Sequence, residues 1–219
     1  MRQKVLVKQK KKQKSDTSQK VAVHALQKHV QLLKLREYLL LISFIFFGAF
    51  LRVPMQVVPS AEPISFFALL AGWLFGKKKG FVVGASSLYI SNFLVMGGHG
   101  PWTIFQALGF GIIGFLGGFL NKKSRLLDVI VIALIGTTIY EIIMNFSSMM
   151  IFPFGFYVFV TALPFTIIHL ISNLIFATIL PRIKRLIEEK GGFNEKDIAV
   201  NLLNRFCSSS DSNWVQNKS

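Results

Sequence analysis

A small set of polar side chains interrupts a long apolar stretch of this sequence, and they are the groups that could do chemistry. Glu141 and Asn145 are four residues apart, as are His169 and Asn173. On a helix, each i,i+4 pair shares one face. Arg52, Glu62, Asn92, His99, Trp102 and Gln106 complete the set. Carboxylates, a guanidinium, imidazoles, amides and an indole suit hydrogen bonding and ring stacking on a small polar molecule. Two histidines far apart in sequence fall short of the three or four convergent ligands a metal wants, so no metal site is expected. Each residue also has a plainer use. Arg52 can snorkel, Trp102 can anchor at an interface, Glu62 before Pro63 can serve a helix N-terminus, and Asn92 and Asn173 can bridge helices.

The setting of these residues decides how much they mean. The chain has 219 residues, is 52% hydrophobic and still carries a formal charge of +15. The two properties segregate. Residues 1–36 hold 11 of the 25 Lys and Arg and one acid, Asp16. From Tyr38 to Pro181 there are seven basic and three acidic residues in 144 positions. A soluble helix needs a charged face, so this stretch is not the core of a soluble enzyme. The composition equally excludes a disordered chain and a disulfide scaffold. Cys207, the single cysteine, lies in the polar tail and reads as an ordinary thiol. No secretory signal is expected, since the start is basic for more than 30 residues before any apolar run.

An apolar helix crosses a bilayer with ~20 residues. Six spans follow, near Tyr38 to Val57, Ala61 to Gly76, Phe81 to Met96, Trp102 to Leu120, Leu126 to Met150 and Phe156 to Leu180. The second and third are short. Turn chemistry separates them: Pro54 and Pro59, GKKKG at 76–80, GGHGP at 97–101, NKKSR at 121–125 and FPFG at 152–155. Basic residues cluster in the N-terminal arm and after spans two, four and six, whereas the odd-numbered breaks hold only Arg52. Positive loops stay in the cytoplasm, so both termini are expected inside. The expected fold is an all-α integral membrane protein, with six transmembrane helices in a compact bundle at the plasma membrane. Its parts are a basic arm (1–36), a membrane domain (38–185) and a polar tail (186–219), whose end from Ser208 reads as disordered.

With this topology, depth follows at ~1.5 Å per residue. Glu141 and His169 fall at similar depth near the midplane, where they could pair. Arg52, Glu62, Asn92, His99, Trp102 and Gln106 lie toward the outside. This skew predicts a pocket open outward and closed below by Phe and Leu. A conduit would instead place polar groups through the full thickness.

Two apparent motifs carry less. Gly109, Gly111 and Gly114 match G-x-G-x-x-G, but no strand precedes them and they lie inside an apolar span. Gly114 with Gly118 is a small-xxx-small pattern for close helix packing. Gly84, Ala85, Ser86 and Ser87 resemble the nucleophile motif of rhomboid proteases, with His169 in the place of the base. Rhomboids have Gly after the Ser and put it on the fourth span. Here Ser87 follows, on the third.

The stretches EPISFFALLAGWLFGKKKGFVVG, SNFLVMGGHGPWTIFQALGFGIIGFLGG and PFTIIHLISNLIF, within about Leu39 to Arg185, resemble the substrate-binding S components of energy-coupling-factor transporters. The resemblance implies a six-helix bundle that captures a vitamin or related micronutrient outside, with no ATPase site or enzymatic activity of its own. The implied partners are a transmembrane coupling subunit and two cytosolic ATPases, as in an ABC-type importer. The GPWT segment inclines the ligand toward a corrinoid or another large or aromatic micronutrient. Arg52, Glu62, Asn92, His99, Trp102, Gln106, Glu141, Asn145 and His169 are then the substrate-binding candidates. Many members carry Ala-xxx-Ala on the first helix for coupling. This chain has Ser43, Gly48 and Ala49 instead, assigned with Gly114 and Gly118 to helix packing or coupling.

Two other functions make different demands. A self-sufficient secondary transporter needs polar groups in the inner half and an inverted repeat, and neither is evident. An intramembrane serine hydrolase needs Ser86 beside His169. Residues 1–36 could contact anionic lipid, an acidic partner or nucleic acid. A solvated topogenic arm is the plainer reading, with membrane lipid the expected contact and nucleic acid not expected. Val23, Leu26, Val30 and Leu33 have the spacing of a surface helix.

Overall fold

A computed structural model describes residues 2–153, 155–191, 193 and 198–204. The expectations for Cys207 and for the end from Ser208 lie outside these residues. Every regular element described is helical: α1 (Arg2–Met55), α2 (Pro63–Phe75), α3 (Lys77–Ser91), α4 (Thr103–Gly117), α5 (Leu126–Ile151) and α6 (Tyr157–Gly191). A short helical segment follows at 198–204. Val21–Met55, Leu126–Ile151 and Tyr157–Gly191 are long and apolar enough to cross a membrane, and less than a third of each apolar stretch is buried within the protein. Phe46, Phe47, Phe50, Ile171 and Ile175 are all exposed. Such continuous apolar surface has hydrocarbon as its natural solvent. The chain is a membrane protein.

The remaining three helices are short, with 13 residues in α2 and 15 each in α3 and α4. Their bounds differ from the sequence expectation, and local chemistry explains why. Pro63 sits at the first position of α2, where its missing N–H costs nothing, and Glu62 precedes it in an extended conformation. Gly76 ends α2 with a φ of 96°, a left-handed value that a side chain would resist. Its amide still bonds to the Gly72 carbonyl at 2.9 Å. Because Gly76 takes the whole reversal, α3 starts at Lys77, and the lysines expected in a loop form its first turn. At its other end α3 stops at Ser91, so residues 93–96 belong to a connection rather than to a span.

Glycine lets α2, α3 and α4 meet backbone to backbone. A Cβ on Gly114 would overlap the Gly80 carbonyl, and one on Gly80 would overlap Gly114 in return. Gly84 sits against the Phe110 carbonyl, and Gly118 against Lys77. The small-residue pattern of α4 thus packs helices within one chain. Around this contact Ile64, Leu70, Leu88, Phe110 and Ile113 are fully buried. Gly48 and Ala49 of α1 are also turned inward: a Cβ on Gly48 would lie 3.1 Å from Ser87 Oγ, and Ala49 is fully buried. Ser43 bonds to its own helix at the Leu39 carbonyl, 2.8 Å away.

The chain divides into two compact units, Glu37–Leu186 and a second built from Met1–Arg36 with Ile187–Ser219. In the second unit Val30, Leu33 and Ala199 are buried, and Arg36 donates to the Gly191 carbonyl at 3.4 Å. The segment expected as a surface helix is therefore continuous with α1, and two of its apolar residues are covered by protein.

Candidate functional site

Four helix ends build the first polar cluster. Arg52 lies in the last turn of α1, Glu62 at the start of α2, Asn92 at the end of α3 and Gln106 in the first turn of α4. The Arg52 Nε lies 2.9 Å from Glu62 Oε2, with both side chains mostly covered at 13% and 14% exposure. The contact is an ion pair rather than an aligned hydrogen bond, since Oε2 has no hydrogen-bond partner. Arg52 Nη1 donates to Ser91 Oγ at 3.0 Å and to Asn92 Oδ1 at 2.8 Å. Asn92 Nδ2 in turn donates toward Thr103 Oγ1 and Gln106 Oε1, each at 3.3 Å. The guanidinium is thus used across several donors, as its forked geometry allows. Gln56 accepts from the Met96 amide at 3.1 Å and ties the two adjoining connections together.

The second cluster joins α5 and α6. The His169 Nδ1 lies 2.6 Å from Glu141 Oε1, and Thr166 Oγ1 donates to Glu141 Oε2 at 2.8 Å. A carboxylate only accepts, so Nδ1 carries the proton and Nε2 of a neutral ring is left as an acceptor. His169 is 1% exposed and Nε2 has no hydrogen-bond partner. The ring stands edge-on to Tyr140 at 5.1 Å, with Phe110 at 6.4 Å. One turn along α6, Asn173 Nδ2 donates to Thr137 at 2.7 Å and Ser65 at 3.2 Å, while its Oδ1 is unpartnered. Asn173 therefore bridges α6 to α5 and α2.

Tyr140 of α5 is buried beside the second cluster, its ring 5.1 Å from His169 and 4.5 Å from Phe110 of α4. Each cluster thus draws its polar side chains from several helices or helix ends in an otherwise apolar interior.

The other candidates stand apart from this network. His99 is exposed, with its ring 4.4 Å from Phe93 and 4.8 Å from Tyr89. The Trp102 ring folds back onto Gly100. Asn145 is half-buried and is not among the residues that bond Glu141. Ser86 is no hydrogen-bond partner of His169, whose free nitrogen has none. Among the described residues no group of three or more His, Cys, Asp or Glu could hold a metal. Two surface clefts lie elsewhere, one of about 410 Å³ lined by Leu126, Thr178, Ile179, Pro181 and Arg182, the other by Lys28, Gln31, Leu32 and Leu35.

Sequence reasoning passed over Ser65, Ser91, Thr103, Thr137, Tyr140 and Thr166. A signal existed for two of them. Thr137 precedes Glu141 by four residues and Thr166 precedes His169 by three, so both extend faces already marked as polar.

The chain belongs to a family of unknown function, DUF6580, whose family model matches residues 33–192. The match covers the described helices except the start of α1 and the segment at 198–204. No curated protein and no solved structure matches the chain.

Proposed function

We propose that this chain is the substrate-capture subunit of an energy-coupling-factor type importer in the plasma membrane. It spans the bilayer with six helices, keeps both termini in the cytoplasm and binds a vitamin-like micronutrient from outside. Delivery requires a transmembrane coupling subunit and two ATPases, and the chain hydrolyses nothing itself. The observation that carries this reading is a pair of mostly buried polar clusters, Arg52 with Glu62, Asn92 and Gln106, and Glu141 with His169. Ionisable groups inside a membrane protein are costly and usually mark a functional site. Here they converge from separate helices, and His169 Nε2 and Asn173 Oδ1 are buried without a hydrogen-bond partner. The loop charges support the orientation, and the sequence segments quoted above support the importer class.

In this conformation the polar side chains bond to one another, so capture exchanges some of these bonds for bonds to the ligand. Arg52, held by Glu62 from another helix, is well placed for such an exchange. Its partners would take the amides or hydroxyls of a ligand.

Native mass spectrometry of the full chain, purified from cells grown in rich medium, tests the reading. A small molecule should co-purify in near-stoichiometric amount, and Glu141→Gln should reduce its occupancy. Repeated absence of any bound or bindable small molecule would sink it. A proton-coupled carrier acting alone is the second reading. It is favoured by one observation, the buried Glu141–His169 pair. Ion-driven uptake into liposomes holding only this chain would select it over the first.

A further inference from the structure

The cleft between the start of α5 and the end of the apolar part of α6 is lined by Leu126, Thr178, Ile179, Pro181 and Arg182, and has a volume of about 410 Å³. Leu126 and Ile179 are 44% exposed, so the floor is aliphatic and open. Its position along the helices is informative. Leu126 follows the polar run NKKSR, and Arg182 opens the run RIKR after the last apolar turn of α6. The cleft therefore sits where apolar helix surface gives way to basic residues, which in a membrane protein is the bilayer interface.

The charge around the cleft is mostly positive. Arg182 lines it. Arg185 is three residues further along α6 and shares its face. Arg125 and Lys123 are exposed just ahead of Leu126. The one acid in the first turn of α5, Asp128, accepts from the Arg125 amide at 2.7 Å and caps that helix. An aliphatic groove with several cations at its polar end matches an amphiphile with an anionic head. Free phosphate would leave the apolar floor unused, and a zwitterionic lipid would leave the cations unmatched.

We infer that this cleft is a binding site for one anionic phospholipid, with an acyl chain along Leu126 and Ile179 and the phosphate on Arg182. The guanidinium takes the phosphate oxygens through paired N–H donors, and Arg125 and Arg185 add charge at the rim. The site is separate from the buried polar network and does not depend on what that network captures.

The full chain, stripped of lipid in detergent, is titrated with dioleoylphosphatidylglycerol or dioleoylphosphatidylcholine and read by native mass spectrometry. One phosphatidylglycerol should stay bound under activation that removes phosphatidylcholine. Arg182→Gln should weaken its retention at least about tenfold, since the charge and the paired geometry of its donors are both lost. Lys78→Gln removes an equal charge from the exposed first turn of α3 and should leave retention unchanged. If Arg182→Gln does not fold, Arg125→Gln together with the lipid comparison on the unaltered chain decides. Equal retention of the two lipids, equal loss in Arg182→Gln and Lys78→Gln, or displacement of the lipid by millimolar inorganic phosphate would each overturn the assignment.

Discussion

Glu141 holds one nitrogen of His169 at 2.6 Å and leaves the other, buried beside Tyr140, without a partner. The carboxylate thereby sets the tautomer and the plane of a ring whose free edge faces the protein interior. Glu141→Gln keeps an acceptor for Nδ1–H but removes the charge. Ligand affinity should fall about tenfold, the worth of ~1.4 kcal/mol and just under what a hydrogen bond to a charged group contributes. Isothermal titration with the co-purified molecule checks this, and an unchanged affinity would place the ligand elsewhere.

Arg52 and Glu62 form a mostly buried pair, so each single removal strands a charge. Arg52→Leu and Glu62→Leu should each cost ~3–5 kcal/mol, whereas the double variant should lose less than the sum. Thermal unfolding in detergent gives the order of the four proteins. Additive losses would show that the pair is too well solvated to couple.

Backbone contact between Gly80 and Gly114 leaves no room for a methyl group. Gly114→Ala should separate α3 from α4 and lower the melting temperature sharply or prevent folding. Gly136→Ala is the comparison, because its added Cβ would come no closer than 3.2 Å to a side-chain carbon of Ile113 that can give way. It should fold normally. Equal behaviour of the two variants, seen by size-exclusion chromatography, would contradict the packing argument.

Trp102 begins α4 outside the hydrogen-bonded network. If its indole stacks on the captured ring, Trp102→Ala should weaken binding several-fold and leave the melting temperature within a degree or two. A fall in stability with binding intact would make it an anchor only.

Orientation is open to direct labelling. With Cys207 replaced by Ser, a single cysteine at Ser124 should react with a membrane-impermeant maleimide only from the cytoplasmic side, and one at Gly98 only from outside. The reverse pattern would invert the bundle and close the proposed route of capture.

Much of this site was legible because membrane burial makes each polar residue conspicuous. Glu141 and His169 could be matched in depth from helix rise alone, and the structure brings them into contact. Asn173 was readable as a bridge for the same reason. Arg52 was harder, since a snorkelling arginine and an internally paired one look alike until the partner helix is placed. Helix ends were the least legible. GKKKG looks like a loop on composition, but the left-handed conformation of Gly76 confines the reversal to one residue and leaves the lysines helical. Tyr140 escaped notice because a tyrosine in an apolar span looks like packing, and only the converging helices reveal its polar neighbours. His99 differs from these, since its ring makes tilted and edge-on contacts with Tyr89 and Phe93 apart from the hydrogen-bonded clusters.

The unequal helix lengths have a consequence for the surrounding lipid. A straight helix of 13 residues, such as α2, is roughly 20 Å long, against a hydrocarbon layer of ~30 Å. The 26 residues of α5 exceed that layer. If the bundle crosses the bilayer with all six helices, as proposed, α2 falls short of that layer while α5 overruns it. Lipid beside the short helices would then shorten or tilt its chains, and the bilayer would be dented on that side alone. Thin membranes would relieve that deformation and thick ones deepen it, so acyl-chain length would become a variable that sets where this chain resides.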